Sequence, residues 1–315
     1  MAWVTWRQHR LQFLIGIGML LSVAVAAVAT GLPMHAAYHR DALSGCLPPT
    51  ARSGCDIIVH HFQTEFGNVL RAVRYLVFFP ALVGLFVGAP LVAREFEQGT
   101  YRLAWTQTLT RRRWLLSKTA LLALATALAA FTLSALAMWW RHPFDVLEGR
   151  MNPSSFEVEG IVVPAYAVFA LCLGVFAGLV LRRSVPAMCA ALVGFFGLRL
   201  AVAKLLRPHY LPARHDMATG LTPNTHSHDW VLNNSIVDAV GHQITSARED
   251  LAILHARHAR IDASEYLLSL GWHRAVTFQP GSRFWVFQGV ESAVFILLAA
   301  AIVLATVRLL QRTPA

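Results

Sequence analysis

Glutamate and arginine residues lie inside the apolar runs of this sequence, where an ionised side chain is costly. Glu291 falls about eight residues into an apolar run that begins at Phe284, and Arg199 interrupts the outer half of an earlier run. At a rise of about 1.5 Å per residue the two side chains reach similar depths, so we expect Glu291 and Arg199 to form an ion pair. Such a pair serves either as a structural tether or as part of a substrate route or gate.

Cysteine and histidine offer two further kinds of chemistry. Cys46 and Cys55 enclose a short polar loop, and on the outer side of a membrane we expect them to form a disulfide, the alternative being two free thiols. Cys172 and Cys189 lie in apolar runs and are expected to pack as small residues. The 14 histidines include close pairs, but no H-E-x-x-H or paired C-x-x-C pattern accompanies them. We therefore predict no metal ligand.

Composition places these residues in a membrane protein. Hydrophobic residues make up 56% of the 315 positions, charged residues make up 14%, and the mean hydropathy is +0.50. Soluble domains carry roughly a quarter charged residues, which excludes a soluble globule. The net charge is +10, but Lys and Arg lie mostly at the ends of apolar runs rather than on a basic domain with interleaved aromatic residues. We therefore expect no nucleic-acid partner and expect contact with membrane lipid.

Six apolar runs are long enough to cross a bilayer as helices. They are Leu11–Leu32, Tyr75–Ala93, Thr119–Trp140, Ile161–Leu181, Val185–Leu206 and Phe284–Val307. The predicted fold class is therefore all-α, a polytopic transmembrane helical bundle. The fifth run is the least regular, because Arg199 and Lys204 interrupt it and allow a short or re-entrant helix instead. The first run could imitate a cleaved signal peptide, but its length and the five runs after it favour a retained span.

Basic residues set the predicted orientation and the division of the chain. Six spans place both termini on one side, and the arginine clusters beside the first, third, fourth and sixth spans share that side, which the positive-inside rule assigns to the cytoplasm. Residues 1–10, with Trp and Arg at helical spacing, form an amphipathic interfacial helix. Residues 11–206 hold spans 1 to 5. Residues 207–283 form a small helical extracellular segment, and residues 284–315 form span 6 and a cytoplasmic tail.

The loop 94–118, between the second and third spans, carries the most specific motif of the sequence. In order, it contains Glu95, Glu97, Gly99, Thr100, Arg111–Arg113 and Lys118. This order resembles the Glu-x-Glu-x-Gly-Thr loop of type-2 ATP-binding-cassette (ABC-2) permeases, especially the six-span subunits common in actinobacteria. The segments WVTWRQHR near the start and QPGSRFWVFQGVE near the end are also similar to parts of those subunits.

The resemblance implies a permease subunit of a bacterial plasma membrane that dimerises around a substrate route, as a homodimer or with a sister permease. Two copies of a separate ABC ATPase would dock beneath it on a coupling helix formed by Glu95, Glu97, Gly99 and Thr100. The chain has no G-x-x-x-x-G-K-[ST] loop, so the partner would bind ATP and Mg, with no cofactor in this chain. The implied substrate is amphiphilic or hydrophobic, such as a drug, an antibiotic or a lipid, and the implied direction is export.

Two other classes of function stay open. A membrane sensor or assembly scaffold would use residues 207–283 to bind a ligand or a partner outside the cell. An intramembrane enzyme would need catalytic residues, but the sequence has no G-x-S-x-G elbow and no H-E-x-x-H. An ABC-type ATPase as a partner would favour transport over both.

Overall fold

Long helices form the body of the molecule, and a smaller segment of sheet and helices covers one end. The computed structural model describes residues 2–46, 54–98, 111–217 and 228–312, and the side chains before residue 14 and those of Ile15 and Arg111 lie outside that description. The helices are α1 (Ala2–Arg40), α2 (Cys55–Val73), α3 (Phe79–Val83), α4 (Ala89–Glu97), α5 (Arg111–Glu148), α6 (Pro153–Phe156), α7 (Val162–Leu181), α8 (Ser184–Ala201), α9 (Ser246–Ala259), α10 (Ala263–Ser269) and α11 (Phe284–Arg312). The strands are β1 (Arg214–Met217), β2 (Trp230–Val237) and β3 (His273–Gln279).

Within the described ranges, six helical stretches are long and apolar enough to cross a membrane. Spans 1 to 6 are Gly16–Arg40, Cys55–Glu97, Arg112–Glu148, Val162–Leu181, Ser184–His209 and Gly281–Arg312. The predicted all-α polytopic bundle is confirmed. Span 2 joins α2, α3 and α4 through the 3₁₀ turn Arg74–Phe78 and the π-helical turn Gly84–Gly88. Span 5 continues from α8 through a π-helical and a 3₁₀ turn to His209, so it is one helical run and not a short or re-entrant helix.

At the start of the chain the structure places the helix boundaries differently from the prediction. The interfacial helix predicted for residues 1–10 is, in the structure, the first part of α1, which continues without a break to Arg40. The described residues between the first two predicted spans are also largely helical, because α1 extends beyond Pro33 to Arg40 and α2 begins at Cys55. Helix α2 buries Phe62 and Leu70 against Trp140 of span 3. Its apolar residues recur at helical spacing, which gives an amphipathic helix that hydropathy alone does not reveal.

Close backbone contact between spans 2 and 4 sets the centre of the bundle. Span 4 is the most buried span, with 78% of its apolar stretch inside the protein against 11% for span 1. A Cβ atom placed on Gly174 would lie 2.4 Å from the carbonyl oxygen of Gly84, and one placed on Gly178 would lie 2.5 Å from that of Ala89. Side chains at these positions would overlap backbone atoms, so only glycine permits this approach.

The segment between spans 5 and 6 contains a sheet that the sequence analysis did not predict. Its three strands are antiparallel in the order β1-β3-β2. Helices α9 and α10 agree with the helical segment predicted for residues 207–283, but Ile236 of that segment belongs to β2. Ile236 packs with Leu267 and Trp272 in a small core of its own, so pairing with β3 decides its strand conformation. We call this segment the cap, its end of the bundle the cap end, and the opposite end the base.

Replacing Gly174 by alanine is expected to destabilise the protein. The added methyl group would meet Gly84 and Ala89, and forcing extra atoms into a packed interior costs about 1–3 kcal/mol. Thermal unfolding followed by tryptophan fluorescence in detergent measures this loss. The matched control is Gly197→Ala on span 5, where nothing lies within 4 Å of the new Cβ atom. Equal stability of the two variants would contradict the close contact of spans 2 and 4.

Candidate functional site

A buried carboxylate at the cap end, that of Glu291, joins three spans. Arg207 at the end of span 5 donates to it from Nε at 2.8 Å and from Nη2 at 2.7 Å. Tyr166 of span 4 donates its hydroxyl to Oε1, and Tyr210 donates to Oε2 at 3.2 Å. Burial raises the pKa of Tyr210, and the Glu291 carboxylate raises it further, so this hydroxyl keeps the proton that it donates. Each oxygen of Glu291 thus accepts two hydrogen bonds.

The pairing differs from the predicted one. Glu291 pairs with Arg207, whereas Arg199 donates to Oε2 of Glu157 in the connection between spans 3 and 4. Arg207 also reaches Oε1 of Glu157 at 3.3 Å. The reason is the continuation of span 5 to His209, which carries Arg207 into the bundle instead of leaving it at the start of an extracellular segment. Two arginines and two carboxylates make the group electrically neutral, and we call these four residues the Glu291 cluster.

A second group of two arginines and two carboxyl groups lies beside the end of span 3. Arg141 contacts the carboxylate of Glu159, and Arg150 lies 3.3 Å from the carboxylate of Asp145. Arg141, Asp145 and Glu159 are almost completely buried. Burial raises the pKa of Glu159 to about 8, and the neighbouring Asp145 carboxylate raises it while Arg141 lowers it. We call these four residues the Glu159 cluster.

At the base, the predicted coupling residues Glu95 and Glu97 make contacts inside the chain. The ammonium group of Lys118 on span 3 donates to Oε1 of Glu95 at 2.7 Å. The backbone N–H and hydroxyl of Ser184, at the start of span 5, donate to the two oxygens of Glu97 at 2.8 and 2.7 Å. Gly99 and Thr100, the other two predicted residues, lie outside the described residues.

The cysteines also have defined positions. Cys46 and Cys55 are joined by a disulfide, with their Cα atoms 5.4 Å apart, and the bond connects the end of the first helical region to the start of α2. Cys172 is buried within span 4, whereas Cys189 is exposed on span 5. In the part of the chain that the structure describes, no group of three or more His, Cys, Asp or Glu side chains could hold a metal ion.

An apolar cavity of about 460 Å³ opens between spans 1, 2 and 3. Its walls include Ile17 and Leu20 from span 1, Phe79 from span 2, and Leu122 from span 3. Thr126 of span 3 adds a hydroxyl group to the lining. A cavity of this size and polarity suits an apolar or amphiphilic molecule rather than an ion.

Comparison with protein families decides the class of this bundle. The family model described as ABC-2 membrane transporter related matches residues 17–207, more than half of the chain. The chain belongs to this ABC-2 family. It is therefore a membrane component of an ABC transporter, it is not itself the nucleotide-binding ATPase, and membership implies association with an ABC ATPase. No curated protein sequence and no solved structure matches it.

Several residues of the site were missed by the reasoning from sequence. Span 5 ends at His209, three residues beyond the end at Leu206 that hydropathy predicted, so Arg207 belongs to the span. Glu157 and Glu159 lie in a short polar connection, where neither periodicity nor depth distinguishes them. The signal that could have found them is charge balance, since every buried arginine near a span end needs a carboxylate partner.

We expect the loss of one partner of the Glu291–Arg207 pair to destabilise the protein more than the loss of both partners. Arg207→Met leaves the buried Glu291 carboxylate without a charged partner and should lower the free energy of unfolding by about 3–5 kcal/mol, and Glu291→Leu, which leaves Arg207 only its longer contact with Glu157, should also lower it. The double variant should lose less than the worse single variant, because it leaves neither charge behind. Thermal unfolding in detergent measures all three. As a control, Arg40→Met breaks the exposed pair with Asp41 and should change stability by about 0.5 kcal/mol or less.

The Glu159 cluster predicts a specific dependence of stability on pH. The folded protein raises the pKa of Glu159 from 4.5 to about 8, so protonated Glu159 favours the folded state. This contribution is full below pH 4.5 and is lost as pH rises through about 8. Glu159→Gln replaces the titrating carboxyl group beside Arg141, Asp145 and Arg150 by an amide that does not titrate. It should therefore remove the part of the decline in stability that Glu159 causes. Melting temperatures across this range measure it, with Glu65→Gln as the exposed control; unchanged pH profiles in both variants would contradict the assignment.

Proposed function

We propose that this ABC-2 protein is the permease subunit of an ATP-driven exporter in a bacterial plasma membrane, of the six-span type common in actinobacteria. The observation that carries the proposal is the family match together with the loop 94–118 at the base, between spans 2 and 3. That loop has an order of acidic, glycine and basic residues that resembles the coupling loop of permeases of this kind. The apolar cavity between spans 1, 2 and 3 supports an amphiphilic or hydrophobic substrate, such as a drug, an antibiotic or a lipid.

The arginine residues at the base support a cytoplasmic position for that end of the bundle. Arg112 and Arg113 begin span 3, Arg182 and Arg183 connect spans 4 and 5, and Arg312 ends span 6. Cytoplasmic ends of spans carry an excess of Lys and Arg. Both termini then face the cytoplasm and the cap faces outward, where a disulfide between Cys46 and Cys55 is stable to the redox environment.

We further propose that the working unit contains two permease chains and two ATPase subunits. Span 1 exposes large apolar side chains along most of its length, so one chain leaves much apolar surface for lipid or a second copy. The ATPase subunits would bind ATP and Mg, and would contact the segment that contains Gly99 and Thr100. The second copy is either this chain or a sister permease.

One observation favours a second candidate function. The cap has a sheet, two helices and its own small core around Ile244 and Trp272, which is more structure than a connection between two spans requires. A sensor or assembly scaffold would use such a cap to bind a ligand or a partner outside the cell. Under this alternative the partner recovered from the cell would be a protein other than an ABC ATPase.

The test is recovery of the ATPase partner from the native membrane. We expect tagged protein in nanodiscs to capture a protein that carries the G-x-x-x-x-G-K-[ST] loop and hydrolyses ATP. Bulky residues in the docking segment, Gly99→Trp with Thr100→Trp, should reduce that capture at least about tenfold, which corresponds to about 1.4 kcal/mol of binding free energy.

The matched control places a tryptophan on the cap instead. Val240 is exposed there, and Val240→Trp should leave capture of the ATPase unchanged. Each variant is first checked for an unchanged melting temperature. A folded wild-type protein that captures no ATPase would reject the transport function and favour the sensor or scaffold.

A further inference from the structure

Three consecutive residues at the end of span 2 contact three different spans. Glu95 accepts a hydrogen bond from Lys118 of span 3 at 2.7 Å, and Glu97 accepts two from Ser184 of span 5. Between them, the ring of Phe96 lies under the guanidinium group of Arg182, 5.3 Å from ring centroid to Cζ, where the helix of span 4 ends. Successive residues of an α-helix point about 100° apart, so one turn can face three neighbours.

The contact with span 3 is the most buried of the three. The side chain of Lys118 is 7% exposed and lies over the ring of Trp114, 4.6 Å from its centroid. Glu95 is the acidic partner that the structure gives this lysine, and the second oxygen of Glu95 is also buried. Separating Lys118 from the Glu95 carboxylate is unfavourable, because it would leave a buried charge unpaired. Movement of Glu95 therefore carries the start of span 3 with it.

The contact with span 5 is a helix cap supplied by another span. Ser184 begins α8, whose first N–H groups have no partner within the helix. The carboxylate of Glu97 accepts the N–H of Ser184 and brings a negative charge to the positive end of the helix dipole. Both oxygens of Glu97 are engaged by Ser184, one by the N–H and one by the hydroxyl group. The end of span 2 therefore positions the start of span 5.

We propose that Glu95, Phe96 and Glu97 form a junction that distributes displacement of the loop 94–118 to spans 3, 4 and 5, and that the two carboxylates do not themselves bind the ATPase. The inference rests on the proposed function, since an ATPase must supply the displacement. It assigns Glu95 and Glu97 as positioning residues that act on Lys118 and Ser184. Docking falls to other residues of the loop.

The junction predicts that each contact controls one span. Hydrogen–deuterium exchange of the intact complex of permease and captured ATPase, with and without ATP and vanadate, reports nucleotide-dependent changes along the chain. In the wild type we expect changes at the starts of both span 3 and span 5. Ser184→Ala should reduce the change at span 5 at least about twofold and keep that at span 3, because it removes one of the two hydrogen bonds to Glu97. Lys118→Met should reduce the change at span 3 and keep that at span 5.

Controls separate the junction from general damage and from docking. Glu65→Gln alters an exposed carboxylate of span 2 near the cap end and should keep both nucleotide-dependent changes. All variants should capture as much ATPase as the wild type. Ser184→Ala removes only a hydroxyl group, so it keeps the test decisive if Lys118→Met does not fold.

Each contrary outcome has a separate meaning. Folded Ser184→Ala and Lys118→Met proteins that keep both nucleotide-dependent changes would overturn the junction. Loss of ATPase capture by Glu97→Ala or Glu95→Gln, in protein that remains folded, would also overturn it and return both carboxylates to a docking role. A wild-type chain that captures no ATPase would reject the proposed function itself, and the junction with it.

Discussion

The close approach of the backbones of spans 2 and 4 at their glycine residues is the constraint on which the rest of the structure depends. In lipid no hydrophobic force draws helices together, so close packing of backbones must supply the attraction. Gly84 and Gly88 on span 2 and Gly174 and Gly178 on span 4 allow that approach. Span 4 is then fixed at the centre, and spans 3, 5 and 6 pack on its remaining faces.

The two charge clusters show how this bundle accommodates ionised groups at its cap end. Each contains two arginines and two carboxyl groups, so each arginine has an acidic partner in a region of low dielectric. The Glu291 cluster connects spans 5 and 6 to the polar connection before span 4, and the Glu159 cluster connects that same connection to span 3. The cap end is therefore held by buried ion pairs.

The contacts at the base differ from one another in how accessible they are to water. The bonds between Glu97 and Ser184 are exposed, so water competes for them and they exchange partners more readily than buried pairs. The Glu95–Lys118 pair beside them is buried, so the contact with span 5 can rearrange more readily than the contact with span 3. The proposed junction at the end of span 2 lies where the loop 94–118 leaves the bundle, so under that proposal movement of the loop would reach three spans directly.

The sequence alone determined the membrane class, the six spans and the family, because hydropathy over about 20 residues and an ordered loop motif are local properties. It also placed Glu291 as a charge that needs a partner. Only the tertiary structure decided that the partner is Arg207 and not Arg199, because span 5 continues through a π-helical turn to His209. The tertiary structure alone also decided the sheet of the cap, because its strands pair with strands that are distant in the sequence. The contacts of Glu95 with Lys118 and of Glu97 with Ser184 also became known only from the tertiary structure. They depend on how separate spans are arranged, and no local sequence pattern encodes that arrangement.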